Sequence, residues 1–159
     1  MKKLVLLFVV LTVLIFCVCI PAFASSGKAI VPPFDARYIG SSAYYGEQFF
    51  VTNITSNPIT VKITVFNKSG SIVTTGLSGT SNLTNFTVNP GDCSVSFSLD
   101  ANATGYVVYS PTTLDWGYAT IAWSQDSSVP YGLIADVKEG LTASGYTSRT
   151  LSVNNGMPF

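Results

Sequence analysis

Histidine is absent from this chain, so carboxylates, hydroxyls and aromatic rings are what remain for chemistry. Without an imidazole there is no Ser-His-Asp or Cys-His nucleophile, no His-ligated zinc or copper, and no histidine pH switch. A pair of Asp or Glu side chains roughly 5 to 9.5 Å apart would suit glycoside hydrolysis. Asp115, Asp126, Asp136 and Glu139 gather in the second half, but each sits where a solvated side chain is expected. Asp115 precedes a strand, Asp126 falls in a turn over 124–128, and Asp136-Val137-Lys138-Glu139 reads as a solvated edge. Asp92, Asp100 or Asn102 could meet calcium, yet the spaced Asp-x-Asp-x-Asp-Gly loop is missing. The expectation is a chain with no catalytic residue, no metal and no cofactor.

The aromatic residues offer binding instead of bond-breaking. Over 116–124, alternation puts Ala119, Ile121 and Trp123 on one face and Trp116, Tyr118 and Thr120 on the other. If the first set enters the core, Trp116 and Tyr118 form a half-exposed flat surface. Such a surface presents apolar area at small conformational cost and suits a protein partner or a sugar ring. Phe66, the one outward apolar residue of the 59–67 strand, adds to the case for a ligand or partner surface, covered or oligomeric. The competing arrangement covers that face with Val31-Pro32-Pro33-Phe34 or with a second subunit.

What must position these residues is a series of short strands. Residues 44–53 form one around Phe49-Phe50-Val51, and Ser56-Asn57-Pro58 breaks it. Residues 59–67 alternate most clearly, with Ile59, Val61, Ile63 and Val65 facing one way. Asn67-Lys68-Ser69-Gly70 has the composition of a hairpin loop, 71–75 returns as a short strand, and 76–82 is loop. A brief strand at 86–88 ends in the Asn89-Pro90-Gly91-Asp92 turn. Further strands are expected at 93–99, 105–109, 116–124, 133–137 and 147–153. No sustained helical period and no internal repeat is visible. Cys93 shares parity with Val95, Phe97 and Leu99 and reads as a small buried hydrophobe.

The N-terminus carries an address. Lys2 and Lys3 precede an apolar run over 4–20, interrupted by Thr12 and closed by Pro21-Ala22-Phe23-Ala24. A basic start, an apolar stretch and a small-x-small end make an export signal, cut before Ser25. The alternative keeps 4–20 as a membrane anchor, near the lower limit of roughly 17 to 25 residues for a span. The organisation is therefore 1–24 signal peptide, 25–43 extended lead-in, and 44–159 β-sandwich domain. Removing Lys2 and Lys3 leaves six basic residues against eight acidic ones, a net charge of 6 − 8 = −2. That supplies no basic surface for nucleic acid or anionic lipid, and membrane contact would come only through an uncleaved signal. Cys93 would be the one cysteine left, so no intrachain disulfide forms. The sequons at Asn53, Asn82, Asn85 and Asn102 read as turn composition.

Together these patterns predict an all-β protein: a single antiparallel β-sandwich of about eight or nine strands after an N-terminal signal helix. Residues 50–61, then Asn67-Lys68-Ser69-Gly70, then Val88-Asn89-Pro90-Gly91-Asp92 before an alternating strand, resemble bacterial extracellular immunoglobulin-like or fibronectin-like modules. The resemblance spans about 44–99 and implies an immunoglobulin-like sandwich. A fainter similarity, in strand order only, is to the sandwich family of sensory rhodopsin transducers, against which the export signal speaks. Neither family supplies transferable catalytic residues, and the second half, including Trp116-Gly117-Tyr118, departs from the immunoglobulin-like pattern. The functional expectation is a secreted or cell-surface, non-catalytic interaction or assembly module of a bacterium. Its partner would be a protein or a second copy, met at an aromatic face or sheet edge. The alternatives are a carbohydrate-binding module centred on Trp116 and Tyr118, and a small carboxylate-dependent hydrolase.

Overall fold

The computed structural model describes residues 24–40, 43–80, 83–89, 94–111, 115–141 and 148–159. Residues 1–23 of the signal segment and Cys93 lie outside the described residues. Among the described residues ten strands form in chain order: β1 (Ser25–Gly40), β2 (Ala43–Asn53), β3 (Ile59–Asn67), β4 (Leu77–Gly79), β5 (Thr84–Asn89), β6 (Ser94–Leu99), β7 (Thr104–Tyr109), β8 (Asp115–Gln125), β9 (Leu133–Leu141) and β10 (Ser148–Ser152). A short turn, Val153–Gly156, follows β10. All pairings are antiparallel. One sheet, sheet I, runs β1-β8-β3-β6-β5; the other, sheet II, runs β10-β9-β2-β7-β4.

Side-chain alternation explains both sheets. In sheet I, Ile59, Val61, Ile63 and Val65 of β3 are buried beside Val95, Phe97 and Leu99 of β6 and Ala119, Ile121 and Trp123 of β8. In sheet II, Phe49 and Val51 of β2 are buried beside Val107 of β7 and Leu133, Ala135 and Val137 of β9. These rows belong to one continuous core, as expected of a sandwich-like fold. Each fully buried Val, Leu, Ile or Phe side chain contributes roughly 1.5–3 kcal/mol.

β1 joins the sheets. Its first part pairs with β8 from Ser25 opposite Gln125 to Ala36 opposite Asp115. Its last part pairs with β2, beginning at Arg37 opposite Tyr45. Between them lies a bulge: Val31 is opposite Ala119 and Phe34 opposite Gly117, so three steps along β1 match two along β8. Pro32 and Pro33 occupy that extra space. Proline has no N–H for a ladder, so a bulge is where a strand tolerates it, and bulges let strands turn from one sheet into the other. The segment read from sequence as an unpaired lead-in is therefore a strand. Its prolines sit where pairing lapses.

Other departures have equally local causes. Residues 71–75, expected as a strand, make one bridge, Ile72 opposite Phe66, plus a hydrogen bond from Val73 N to Val65 O at 2.8 Å. Ile72 is exposed, so its side chain adds no burial to extend the pairing. Residues 77–79, expected as loop, form β4 because β7 offers them an open edge. Asp136 to Glu139 is not a solvated edge: β9 lies between β2 and β10, and Glu139 is buried.

The far end of the molecule is stapled by polar contacts. Buried Asn53 donates from Nδ2 to the carbonyls of Asn57, Leu99 and Asp100 at 2.8, 3.2 and 2.9 Å. That commits the first sequon to the fold. The indole Nε1 of Trp123 donates to the Phe159 carbonyl at 2.5 Å. Gly132 lies against the same ring, where a Cβ would come within 2.6 Å of it. Trp123 is thus a core residue with its one polar atom satisfied.

Candidate functional site

The opposite end of the molecule holds a charged row. Glu47 of β2 lies directly opposite Tyr109 of β7 on one side and Glu139 of β9 on the other. Glu139 in turn lies opposite Arg149 of β10. Residues paired this way project to the same face of a sheet, so the four make one transverse row. Arg149 and Glu139 form a bidentate ion pair, Nε to Oε2 at 2.8 Å and Nη2 to Oε1 at 2.9 Å. Glu47 is fully buried, and neither of its carboxyl oxygens finds a partner among the described residues. Burial pushes its pKa from the ordinary 4.5 up to about 8; the neighbouring Glu139 adds to the rise, Arg149 opposes it, and Asp35 adds a little more. Glu47 is consequently held as a neutral acid at pH 7.

Sheet I contributes the other wall. Phe34, Gly117 and Asn67 make an inward row across β1, β8 and β3. Phe34 packs edge-on against Phe49 and Tyr109, with ring centres 5.8 and 6.1 Å apart, which joins the two sheets just beside Glu47. Gly117 admits no side chain, because a Cβ there would run into the Phe66 carbonyl oxygen. On the outer face Asp35 is opposite Trp116, and Tyr118 is opposite Phe66. The β3 hairpin is fixed by Asn67, whose Oδ1 accepts from the backbone N–H of Ser69 and of Ser71 at 3.0 Å each. Gly70 closes that turn in the left-handed region, at φ 76°.

These walls enclose an open cleft of about 770 Å³, lined by Pro33, Phe34 and Asp35, by the 67–70 hairpin, by Trp116, Gly117 and Tyr118, and by Arg149. Trp116 is 60% exposed and Tyr118 37%. The two therefore share one cleft, as outward parity requires. The surface is not simply flat, however. Phe66 stacks on Tyr118 with ring centres 4.6 Å apart and planes 7° from parallel, so one tyrosine face is covered. Phe66 supports Tyr118, and Trp116 is the more open ring. Val31-Pro32-Pro33-Phe34 does not lie over this face; it runs beside β8 as part of the sheet.

Of the acids considered for catalysis, Glu139 comes near the cleft, behind Arg149, and the Asp115 side chain lies outside the described residues. Asp126 is exposed in its turn, and Asp136 faces away from Glu139 along β9. Sequence reasoning missed Glu47, Asp35 and Arg149. The signal for Glu47 was present, since it shares parity with Phe49, Val51 and Asn53, all buried. Glu139 likewise shares parity with Leu133, Ala135 and Val137. An acid in phase with a buried row is the pattern to look for.

Fold and cleft together define the class: an all-β, two-sheet protein with an aromatic-walled cleft at one end. No protein-family model, no curated protein and no solved structure matches the chain.

The neutral Glu47 has a thermodynamic consequence. Between about pH 4.5 and 8 the folded protein keeps a proton that the unfolded chain releases. Stability therefore falls as pH rises through that window and levels off above it. Thermal unfolding at pH 5.5 and 8.5 should show a higher Tm at the lower pH. Glu47→Gln should flatten the difference and stabilise the protein at pH 8.5; an unchanged slope in the variant would place the titrating group elsewhere.

Proposed function

We propose that this is an exported, non-catalytic β-sandwich module, immunoglobulin-like in scaffold, that binds carbohydrate in the Trp116 cleft at the cell surface or in secreted material. The observation that carries the reading is Trp116 itself, a large ring 60% exposed on the wall of a concave site. Aromatic faces take the C–H faces of sugar rings, and a few polar groups at the rim fix orientation. Asp35, Asn67, Lys68, Ser69 and Arg149 are such groups on the same wall. The hydrolase alternative is weaker because Glu47, the acid with the suitable pKa, is 0% exposed and is not among the residues that line the cleft.

Export is supported by Lys2-Lys3, the apolar run and Ala22-Phe23-Ala24. The proposed cut also suits the fold, since Ala24 is exposed and outside the sheet while β1 begins at Ser25. The second reading, docking of a protein partner or of a second copy, is favoured by Ile30. It is 66% exposed opposite Thr120, on the same outer face as Tyr118 and Phe66.

Intact-mass analysis of the exported protein should give a chain starting at Ser25; a mass that retains residues 1–24 would make the segment an anchor. Trp116→Ala should leave the Tm nearly unchanged and weaken glycan binding by about 2 kcal/mol or more, as a central aromatic does. Trp123→Ala, a core truncation, should cost about 3–5 kcal/mol of stability in denaturant unfolding. If Trp116→Ala unfolds the protein as badly as Trp123→Ala, Trp116 is a packing residue and the binding cleft is not one.

A further inference from the structure

We propose that the cleft selects sugars bearing a carboxylate, with Arg149 as the specificity-determining residue. The inference rests on the carbohydrate reading above and narrows it to uronic acids.

Arg149 is built as a recognition group. Its guanidinium has five donors in a rigid fork. Glu139 takes two of them, at Nε and Nη2, and holds the plane from behind. The Glu139 side chain is only 11% exposed, while that of Arg149 is 61% exposed and lines the cleft. The remaining N–H groups on Nη1 and Nη2 meet no acceptor among the described residues. A guanidinium oriented this way matches a carboxylate with little further ordering, which a free surface arginine does not. Glu139 is the carboxylate bonded to the guanidinium, and buried Glu47 behind it makes no hydrogen bond to Arg149 among the described residues.

The rest of the wall fits the same ligand. Lys68, exposed in the hairpin, is a second cation. Asn67 uses its Oδ1 to shape the turn, which leaves its Nδ2 as a further donor at the rim. Asp35 is the only acid lining the cleft among the described residues, and it suits sugar hydroxyls as an acceptor. With Glu139 already paired to Arg149 and Asp35 on the wall, the site carries little net positive charge, which suits an isolated carboxylate and not a densely sulfated chain. Trp116 supplies the apolar face against which that ring lies.

The exported protein is titrated calorimetrically with fragments of polygalacturonate, alginate and hyaluronate, and with the same fragments after methyl esterification. Esterification removes the charge and keeps the ring. An acidic fragment should bind, and its ester should bind about tenfold or more weakly, the scale of one charge-assisted bidentate contact. Arg149→Lys keeps the charge but loses the fork and should narrow that gap. Lys68→Ala, in an exposed loop that leaves folding intact, should weaken the acid form alone. Equal affinity for acid and ester, or binding only to a neutral glucan or xylan, overturns acid selectivity and leaves the carbohydrate reading standing. A preference undiminished by Arg149→Lys overturns the role of Arg149. No binding to any acidic, esterified or neutral fragment overturns both readings.

Discussion

Two consecutive prolines set the constraint on which the structure turns. Pro32 and Pro33 cannot donate to β8, so β1 bulges there and then leaves sheet I for sheet II. One 16-residue strand thereby belongs to both layers. The crossing also sets Phe34 between the layers, against Phe49 and Tyr109, and leaves Asp35 beside Trp116 on the outside. A straight β1 would continue beside β8 and leave this end of the molecule without its Phe34 plug. The cleft is a by-product of how the two sheets are joined.

That end of the molecule departs from the rules obeyed elsewhere. Two glutamates directly opposite one another in a ladder would repel, and burying one of them is costly unless it stays neutral. The molecule resolves the conflict by dividing the roles. Glu139 carries the ion pair with Arg149, and Glu47 keeps its proton. Proteins violate local rules chiefly at functional or strained sites. A buried acid pair beneath an exposed arginine, next to an exposed tryptophan, is where such a violation would be expected.

Much of this was legible in the sequence, and the limits are physical. The alternation over 59–67 gave β3 to the residue, and the parity of 116–124 placed Trp123 inside with Trp116 and Tyr118 outside. Phe66 was legible as an outward aromatic, but not as the ring that stacks on Tyr118, because the register of β3 against β8 is a long-range property. The same holds for β1 beside β8, a pairing that joins Ser25 to Gln125. The Pro-Pro segment was misread because proline argues against a ladder, yet it is compatible with a bulge inside one. Glu47 was passed over, and Glu139 read as solvated, because charge was weighed above parity. Phe49 and Val137, each two residues from one of these acids, are buried, and the acid follows them inward.

The most direct measurement is a backbone amide NMR titration of the protein with a uronic-acid oligosaccharide. Binding at the end where β1 changes sheets predicts shifts at Gly70, Gly117, the Trp116 indole N–H and the Arg149 side chain. Asn53, Thr55 and Gln125, at the far end, should stay unmoved. Shifts confined to that far end, or to the outer face around Ile30, Lys62 and Ser96, would contradict a ligand site built on the β1 crossing.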